Sequence, residues 1–281
     1  MAEPTIHALL KHARATLRGL SPTPQLDAEL LLAQALAQTR TYLYTWPERT
    51  PDAAAREVFA RLLARRRRGE PVAYLIGRRA FWSLDIQVTP DTLIPRPESE
   101  LLVDLALAHC ATHRTPRVAD LGTGSGALAL ALAQDCPQAE IIAVDYYLAP
   151  LQVAQANAQR LGLTQIVFIC SDWCTALAAQ QFDGIVTNPP YIAAHSPYAH
   201  QGDVRFEPVT ALVAGPDGLA AIRQVIAQTP RVLKPGGYLW LEHGFDQANA
   251  VSALLHHYGF SAIHSHYDAN GHPRVASACW A

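Results

Sequence analysis

Apolar positions along this chain recur at helical spacing first and at strand spacing later. Ile6, Leu9, Leu10, Ala13 and Leu17 lie on one face of a predicted helix. Ser21-Pro22-Thr23-Pro24 reads as a turn, and Leu26, Leu30, Leu31 and Leu36 open a second run. A third run starts at Asp52 and ends in Arg65-Arg66-Arg67-Arg68-Gly69, where Gly69 suits a helix C-cap. Cations in a last turn complement the helix dipole, so the arginines are expected at a solvated helix end. The alternative is a contact patch for an acidic or RNA-bearing partner. Residues 77–89 are aromatic and β-branched, which predicts a hairpin turning near Ser83. Pro95-Arg96-Pro97 follows, with Pro97 placed to open a helix through Leu101, Leu102, Leu105 and Leu107.

From Arg117 strands and helices alternate. Strands are predicted at 117–121, 140–145, 166–170, 182–187 and 237–242, and two more close the chain after a helix ending near Tyr258-Gly259. Alternation of this length predicts an α/β fold with a doubly wound, mostly parallel sheet. Three parts are expected: a helical domain over 1–73, a hairpin linker over 74–95 and a sheet domain over 96–281.

Composition narrows the class. Half of the 281 residues are hydrophobic and 16% are charged, enough apolar matter for a packed core. No apolar run reaches the ~18–20 residues of a membrane span, and the first twenty residues lack a signal-peptide pattern. Five cysteines, of which only Cys170 and Cys174 are close, fit reduced thiols and a cytoplasmic setting. Without a second Cys/His pair at zinc spacing nearby, no metal is expected. The histidines of the tail, His256, His257, His264, His266 and His272, are expected on the surface. Net charge is −2, split between +5 over residues 1–96 and −7 over 97–281. Such a chain is not built to coat nucleic acid.

Asp120-Leu121-Gly122-Thr123-Gly124-Ser125-Gly126 lies between the first strand of the alternating region and its helix. Glycines there let the backbone turn tightly and come close to a ligand. Asp145 ends the next strand, where a carboxylate can accept from both ribose hydroxyls of a nucleoside. Together they predict a nucleoside cofactor site. Asp172-Trp173, after the third strand, can meet an adenine ring.

Asn188-Pro189-Pro190-Tyr191 follows the fourth strand and belongs to the same sheet edge. An amide nitrogen is a poor nucleophile because its lone pair is delocalised. The Asn188 side-chain carbonyl and the Pro189 backbone carbonyl can each accept one of its N–H groups. Both bonds strengthen as the nitrogen becomes cationic during attack on a sulfonium methyl. The prolines stiffen the acceptors, and Tyr191 offers a flat face. This motif favours S-adenosylmethionine over a nicotinamide cofactor. Asp203 and Glu207, in GDVRFEP, could act as bases; ordering of the loop over Asn188 is the preferred role.

The stretches PVAYLIGRRAFW, LIPRPESE, DLGTGSG, SDW, FDGIVTNPPY, GDVRFEPVTALVAG and LEHG resemble the release factor glutamine methyltransferases, the PrmC/HemK family. The resemblance implies a small helical domain that contacts the substrate, a hairpin linker and a seven-stranded class I methyltransferase domain. It implies S-adenosylmethionine bound by Gly122, Thr123, Gly124, Ser125, Gly126, Asp145, Trp173 and Asn188. It implies a glutamine side chain held by Asn188, Pro189, Pro190 and Tyr191. The expected reaction is methylation of the glutamine in the GGQ motif of class I peptide-chain release factors. A monomer is expected, without sequence-specific nucleic acid or membrane. Tyr147 and Pro150 stand where the family often has a small polar residue and an alanine. An adenine N6 methyltransferase also uses N-P-P-Y, and a catalytically silent adaptor is a third reading. The acidic 97–281 region argues against the first, and the complete Asn188–Tyr191 motif against the second.

Overall fold

The computed structural model describes residues 3–281. The chain divides into two compact units, the first ending at Arg78 and the second beginning at Arg79.

The first unit contains α1 (Ile6–Leu17), α2 (Pro24–Leu36), α3 (Arg40–Thr45), α4 (Ala53–Arg67) and α5 (Val72–Ile76). Thr5, Thr39 and Asp52 cap α1, α3 and α4 by accepting from the N–H three residues on. Ile6, Leu17, Leu31, Leu32, Leu43 and Phe59 form its core, whereas Leu26 stays exposed. The arginine run departs from the expectation of a wholly solvated end. Arg66 is buried, and its Nε donates to Asp27 at 2.7 Å. Its guanidinium also donates to the Glu70 carbonyl at 3.1 Å, so one cation pins α2 and the end of α4. A desolvated cation needs such a partner, and the charge run concealed which arginine had it.

β1 (Arg78–Phe81) and β2 (Leu84–Gln87) form the hairpin, with all but Arg78 in the second unit. Trp82 turns it at φ 56°, held by its N–H on Glu100 (2.7 Å) and its indole N–H on Asp135 (2.6 Å). Pro97–Ser99 make a 3-10 turn that leads into α6 (Glu100–Cys110). Then come β3 (Arg117–Leu121), α7 (Ala127–Asp135), β4 (Glu140–Asp145), α8 (Leu148–Leu161), β5 (Val167–Cys170) and β6 (Phe182–Thr187). α9 (Ala220–Val232), β7 (Leu233–Glu242), α10 (Ala248–His257), β8 (Phe260–Tyr267) and β9 (Pro273–Trp280) complete the chain.

Among the described residues β3 to β9 form one seven-stranded sheet, ordered β5-β4-β3-β6-β7-β9-β8. All pairings are parallel except those of β9, which runs antiparallel between β7 and β8. Every residue of β6 is buried, as expected of a central parallel strand covered on both faces. β7 starts earlier than its apolar run, at Leu233, and absorbs Gly236 and Gly237 as an irregularity in the pairing with β6. Of the tail histidines, His266 is half-buried against Ser277 (2.8 Å), while the other four are exposed. Among the described residues no helix is long and apolar enough to cross a membrane.

Candidate active site

The strand order reverses between β3 and β6, so the connections leaving their C-terminal ends diverge and open a crevice. The glycine loop follows β3, Asp145 ends β4, and Asn188 follows β6. One edge therefore carries all three.

The loop is shaped by hydrogen bonds that leave its outer face bare. The N–H groups of Gly122 and Thr123 both donate to the Val144 carbonyl at 2.9 Å. Gly126 has φ 86°, and a Cβ on it would come within 3.0 Å of the Ala154 side chain. The loop thus rests directly on α8, and only glycine fits there. Asp120 lies beneath, buried, its Oδ2 accepting from Thr123 Oγ1 (2.7 Å) and the Ala129 N–H (3.1 Å). Asn157, also buried, donates to the carbonyls of Ser125 (3.0 Å) and Gln87 (2.9 Å) and accepts from the Gln87 N–H (2.8 Å). One side-chain amide thereby joins the loop, α8 and the hairpin.

A cavity of about 520 Å³ opens above the loop. Gly122, Gly124, Asp145, Trp173, Asn188 and Pro190 are among its walls. Thr123, Ser125 and Gly126 instead sit behind that wall and hold the turn. Asp145 is 8% exposed; its Oδ2 accepts from the Gly124 N–H (2.9 Å) and its Oδ1 from the Tyr147 N–H (3.0 Å). Burial raises its pKa, and these N–H groups oppose the rise. Each oxygen keeps a second lone pair for a ligand hydroxyl. Trp173, at φ 46°, packs its ring against Gly122, and its indole N–H donates to Gln224 at 3.0 Å. Tyr147 lines the wall with its ring half out in solvent, edge-on to Tyr146, and Pro150 takes the first turn of α8.

A second cavity, of about 120 Å³, is also bordered by Asn188. Pro189, Tyr191 and Arg96 line it, and it shares Leu93, Asn188 and Ala211 with the first. Asn188 therefore stands in the partition between a large chamber and a small one.

Known proteins are similar to this chain along most of its length. Residues 8–77 match the family model described as the PrmC N-terminal domain, and residues 99–203 match the methyltransferase small domain. The release factor glutamine methyltransferase of Pseudomonas aeruginosa is 51% identical over 261 residues, which cover 93% of this chain and 94% of that one. This chain belongs to the release factor glutamine methyltransferases. The member from Vibrio cholerae is 45% identical over 96% of this chain and 95% of its own, and that from Escherichia coli 46% over 91% and 92%. Among solved structures, a release factor-specific protein-(glutamine-N5) methyltransferase from Alicyclobacillus acidocaldarius is 30% identical, covering 69% of this chain and 98% of that one, with a TM-score of 0.42. A methyltransferase from Pyrococcus furiosus, 15% identical over 78% of this chain and 98% of that one, shares the fold at a TM-score of 0.51.

This enzyme is an S-adenosylmethionine-dependent protein-glutamine N5-methyltransferase of the class I fold. The large cavity fits that cofactor: its volume lies in the usual ligand range of roughly 300–1,000 Å³. Gly124 has nothing within 4 Å of where a Cβ would stand, so backbone can approach a ligand there. A carboxylate and an aromatic ring flank that opening, as a ribose and an adenine require.

The loop that follows Asn188 is held by Glu207, in the ordering role preferred for it from the sequence, and by residues that sequence reasoning left unassigned. Glu207 is buried, accepts from the Ile94 N–H at 3.0 Å and pairs with Arg96, so GDVRFEP is clamped to LIPRPESE. The loop after Tyr191 is stitched on its other side, Ile192 N–H donating to Leu212 (2.8 Å) and Ala214 N–H to Ile192 (2.9 Å). Gln247 donates to the Tyr191 carbonyl at 3.0 Å. Ser99 and Glu242 lie within the quoted stretches, yet a serine before a helix reads as an N-cap and a glutamate at a strand end as ordinary.

Burial pushes the carboxyls of Asp120 and Glu242 up to about 7. The folded enzyme therefore holds protons that the unfolded chain has released above its ordinary carboxylate range near 4. Their contribution to stability is full below that range and declines as pH rises toward 7, by at most about 1.4 kcal/mol per unit for each group. Urea unfolding between pH 5 and 8 is expected to show Glu242→Gln gaining on the wild type as pH rises. A constant difference would mean that Glu242 keeps an ordinary pKa in the fold.

Proposed function

We propose that this enzyme methylates the side-chain amide nitrogen of the glutamine in the GGQ motif of class I peptide-chain release factors. The observation that carries the reading is the place of Asn188, in the partition between the cofactor-sized cavity and the small cavity lined by Pro189 and Tyr191. A flat amide entering the small chamber meets acceptors on its way to the large one.

Gly122, Gly124, Asp145 and Trp173 hold S-adenosylmethionine, with Thr123, Ser125 and Gly126 keeping the loop in shape and Asn188 at the boundary. When bound, the cofactor supplies a methyl group made electrophilic by its sulfonium. Asn188 and the Pro189 carbonyl each accept one substrate N–H and turn the nitrogen lone pair toward the partition. Those acceptors gain strength as the nitrogen becomes positive, so they favour the transition state over the bound substrate. Tyr191 and Pro190 press on the amide and limit its rotation, which contributes orientation. The nitrogen's surplus proton leaves to water, because an N-alkylated amide cation is strongly acidic. Most of the rate comes from preorganised dipoles.

The helical region 1–73 recognises the release factor, the segment 74–95 links, and residues 96–281 perform the chemistry. The enzyme works as a monomer in the cytoplasm and reads no nucleic acid sequence. Incubation with labelled cofactor and either purified release factor or duplex DNA tests the substrate class. Label on the glutamine of the release factor supports the reading; label on adenine alone overturns it.

Removing residues 1–70 should leave cofactor binding within a fewfold and raise KM for intact release factor by an order of magnitude or more. A short GGQ peptide should be affected much less. Equal losses on both substrates would assign the helices to support of the catalytic fold.

A further inference from the structure

Behind Asn188 lies a chain of hydrogen bonds with a direction. Asn188 Nδ2 donates to Ser99 Oγ at 3.0 Å. Ser99 Oγ donates to Glu242 Oε2 at 2.6 Å, and Tyr191 Oη donates to Glu242 Oε1 at 3.2 Å. Ser99 is 4% exposed and Glu242 1%, so no bulk water competes for these bonds. The sheet sets the meeting point: β6 and β7 pair in parallel with Thr187 opposite Leu241, which places Asn188 level with Glu242. Ser99 comes down on both from the start of α6.

An ionised carboxylate can only accept. In its ionised form Glu242 therefore takes the hydroxyl protons of both Ser99 and Tyr191. Ser99 has one proton, so toward Asn188 it can only offer a lone pair. Asn188 must then turn its NH2 to Ser99, which puts Oδ1 on the opposite side of the planar amide. We infer that Ser99 and Glu242 are positioning residues that fix the flip of the Asn188 amide so that it offers the substrate an acceptor. The inference rests on the amide clamp proposed above.

The reversed wiring is equally well bonded but does the wrong thing. A glutamine at position 242 can donate to Ser99, which then donates to Asn188 Oδ1. The NH2 of Asn188 would swing toward the chamber and meet the N–H groups of the substrate amide. Like meets like, and the nitrogen is no longer drawn into line. Tyr191 belongs to the same unit, since its hydroxyl and that of Ser99 end on one carboxylate. Holding that ring costs the site no extra ordering when substrate enters.

The test is single-turnover methylation of purified release factor by the full-length enzyme at pH about 8.5, where Glu242 is ionised. Ser99→Ala and Glu242→Gln are each expected to slow the step about 10–100-fold at saturating release factor, the range for loss of a bond ending on a charged group. KM for the release factor and the cofactor Kd should stay within about twofold, and an unchanged Kd also certifies the fold. The double variant S99A/N188A should be no slower than N188A alone, because Ser99 acts only through Asn188. A merely structural serine would instead slow N188A by the same factor as it slows the wild type, and that result overturns the inference. So does wild-type speed in S99A and E242Q while N188A is slow; the clamp then stands and only the relay falls. Near wild-type speed in N188A removes the clamp itself, and the relay with it.

Discussion

Asn188→Ala is expected to remove most turnover, about 10²–10³ in kcat, the usual loss for one preorganised group that stabilises transition-state charge. Cofactor affinity should change little, because the side chain's assigned partner is the substrate amide. Two features make the loss large. The position is a partition between two cavities, so a truncated side chain joins them and lets the amide rotate. The hydrogen bond at stake also gains strength only as the nitrogen becomes cationic, so its removal falls on kcat more than on KM. Asn188→Asp should not restore the rate. It keeps an acceptor, yet a carboxylate can pair with the sulfonium in the ground state, an attraction that fades as the methyl leaves. It would also face Ser99, whose proton is already given to Glu242. Single-turnover assays at saturating release factor, beside a cofactor titration, check this. Turnover within a fewfold of wild type would reduce Asn188-Pro189-Pro190-Tyr191 to a stiff turn.

Asp145→Ala is expected to weaken S-adenosylmethionine binding by two orders of magnitude or more while the fold persists. Hydrogen bonds that end on a charged acceptor are worth roughly 1.5–3 kcal/mol each, and the ribose offers two. The structure adds a second source of loss. Asp145 also receives the N–H groups of Gly124 and Tyr147, so its removal frees both the glycine loop and the start of α8. Asp145→Asn separates the two effects. One amide oxygen can still hold one backbone N–H, whereas the NH2 faces a donor, so affinity should fall between the wild type and the alanine variant. Calorimetric titration reads the ordering directly. Unchanged affinity in Asp145→Ala would take this carboxylate out of the ribose site.

Much of the molecule was legible in its residues. The strand–helix alternation from Arg117 onward follows from apolar runs of strand length separated by amphipathic ones, and β4 and β6 begin and end where those runs do. The local signal is strong there because a central parallel strand must be apolar on both faces. Boundaries slipped where tertiary contacts override local preference. The short helices α3 and α5 carry too few residues to show a period, and β7 runs through two glycines because β6 offers it a partner. Trp82 turns the hairpin at a positive φ that its own sequence would not choose; Glu100 and Asp135, far along the chain, hold it.

The sequence by itself determined the chemistry available: a glycine turn after a strand, a carboxylate after the next, and two prolines flanked by an asparagine and a tyrosine. Each is a local feature of a few neighbouring residues, so it survives without a fold. Tertiary structure alone decided which of these atoms face a ligand. Thr123 and Ser125 alternate with Gly122 and Gly124 in the loop, yet they sit behind the wall, where the Thr123 hydroxyl donates to Asp120 and the Ser125 backbone carbonyl accepts from Asn157. It also decided the direction of the Asn188 amide. That direction depends on Ser99 and Glu242, 89 residues away and across the β6–β7 pairing respectively, and on a carboxylate that can only accept. No spacing along the chain encodes such a bond, because parallel pairing brings together strands separated by whole helices.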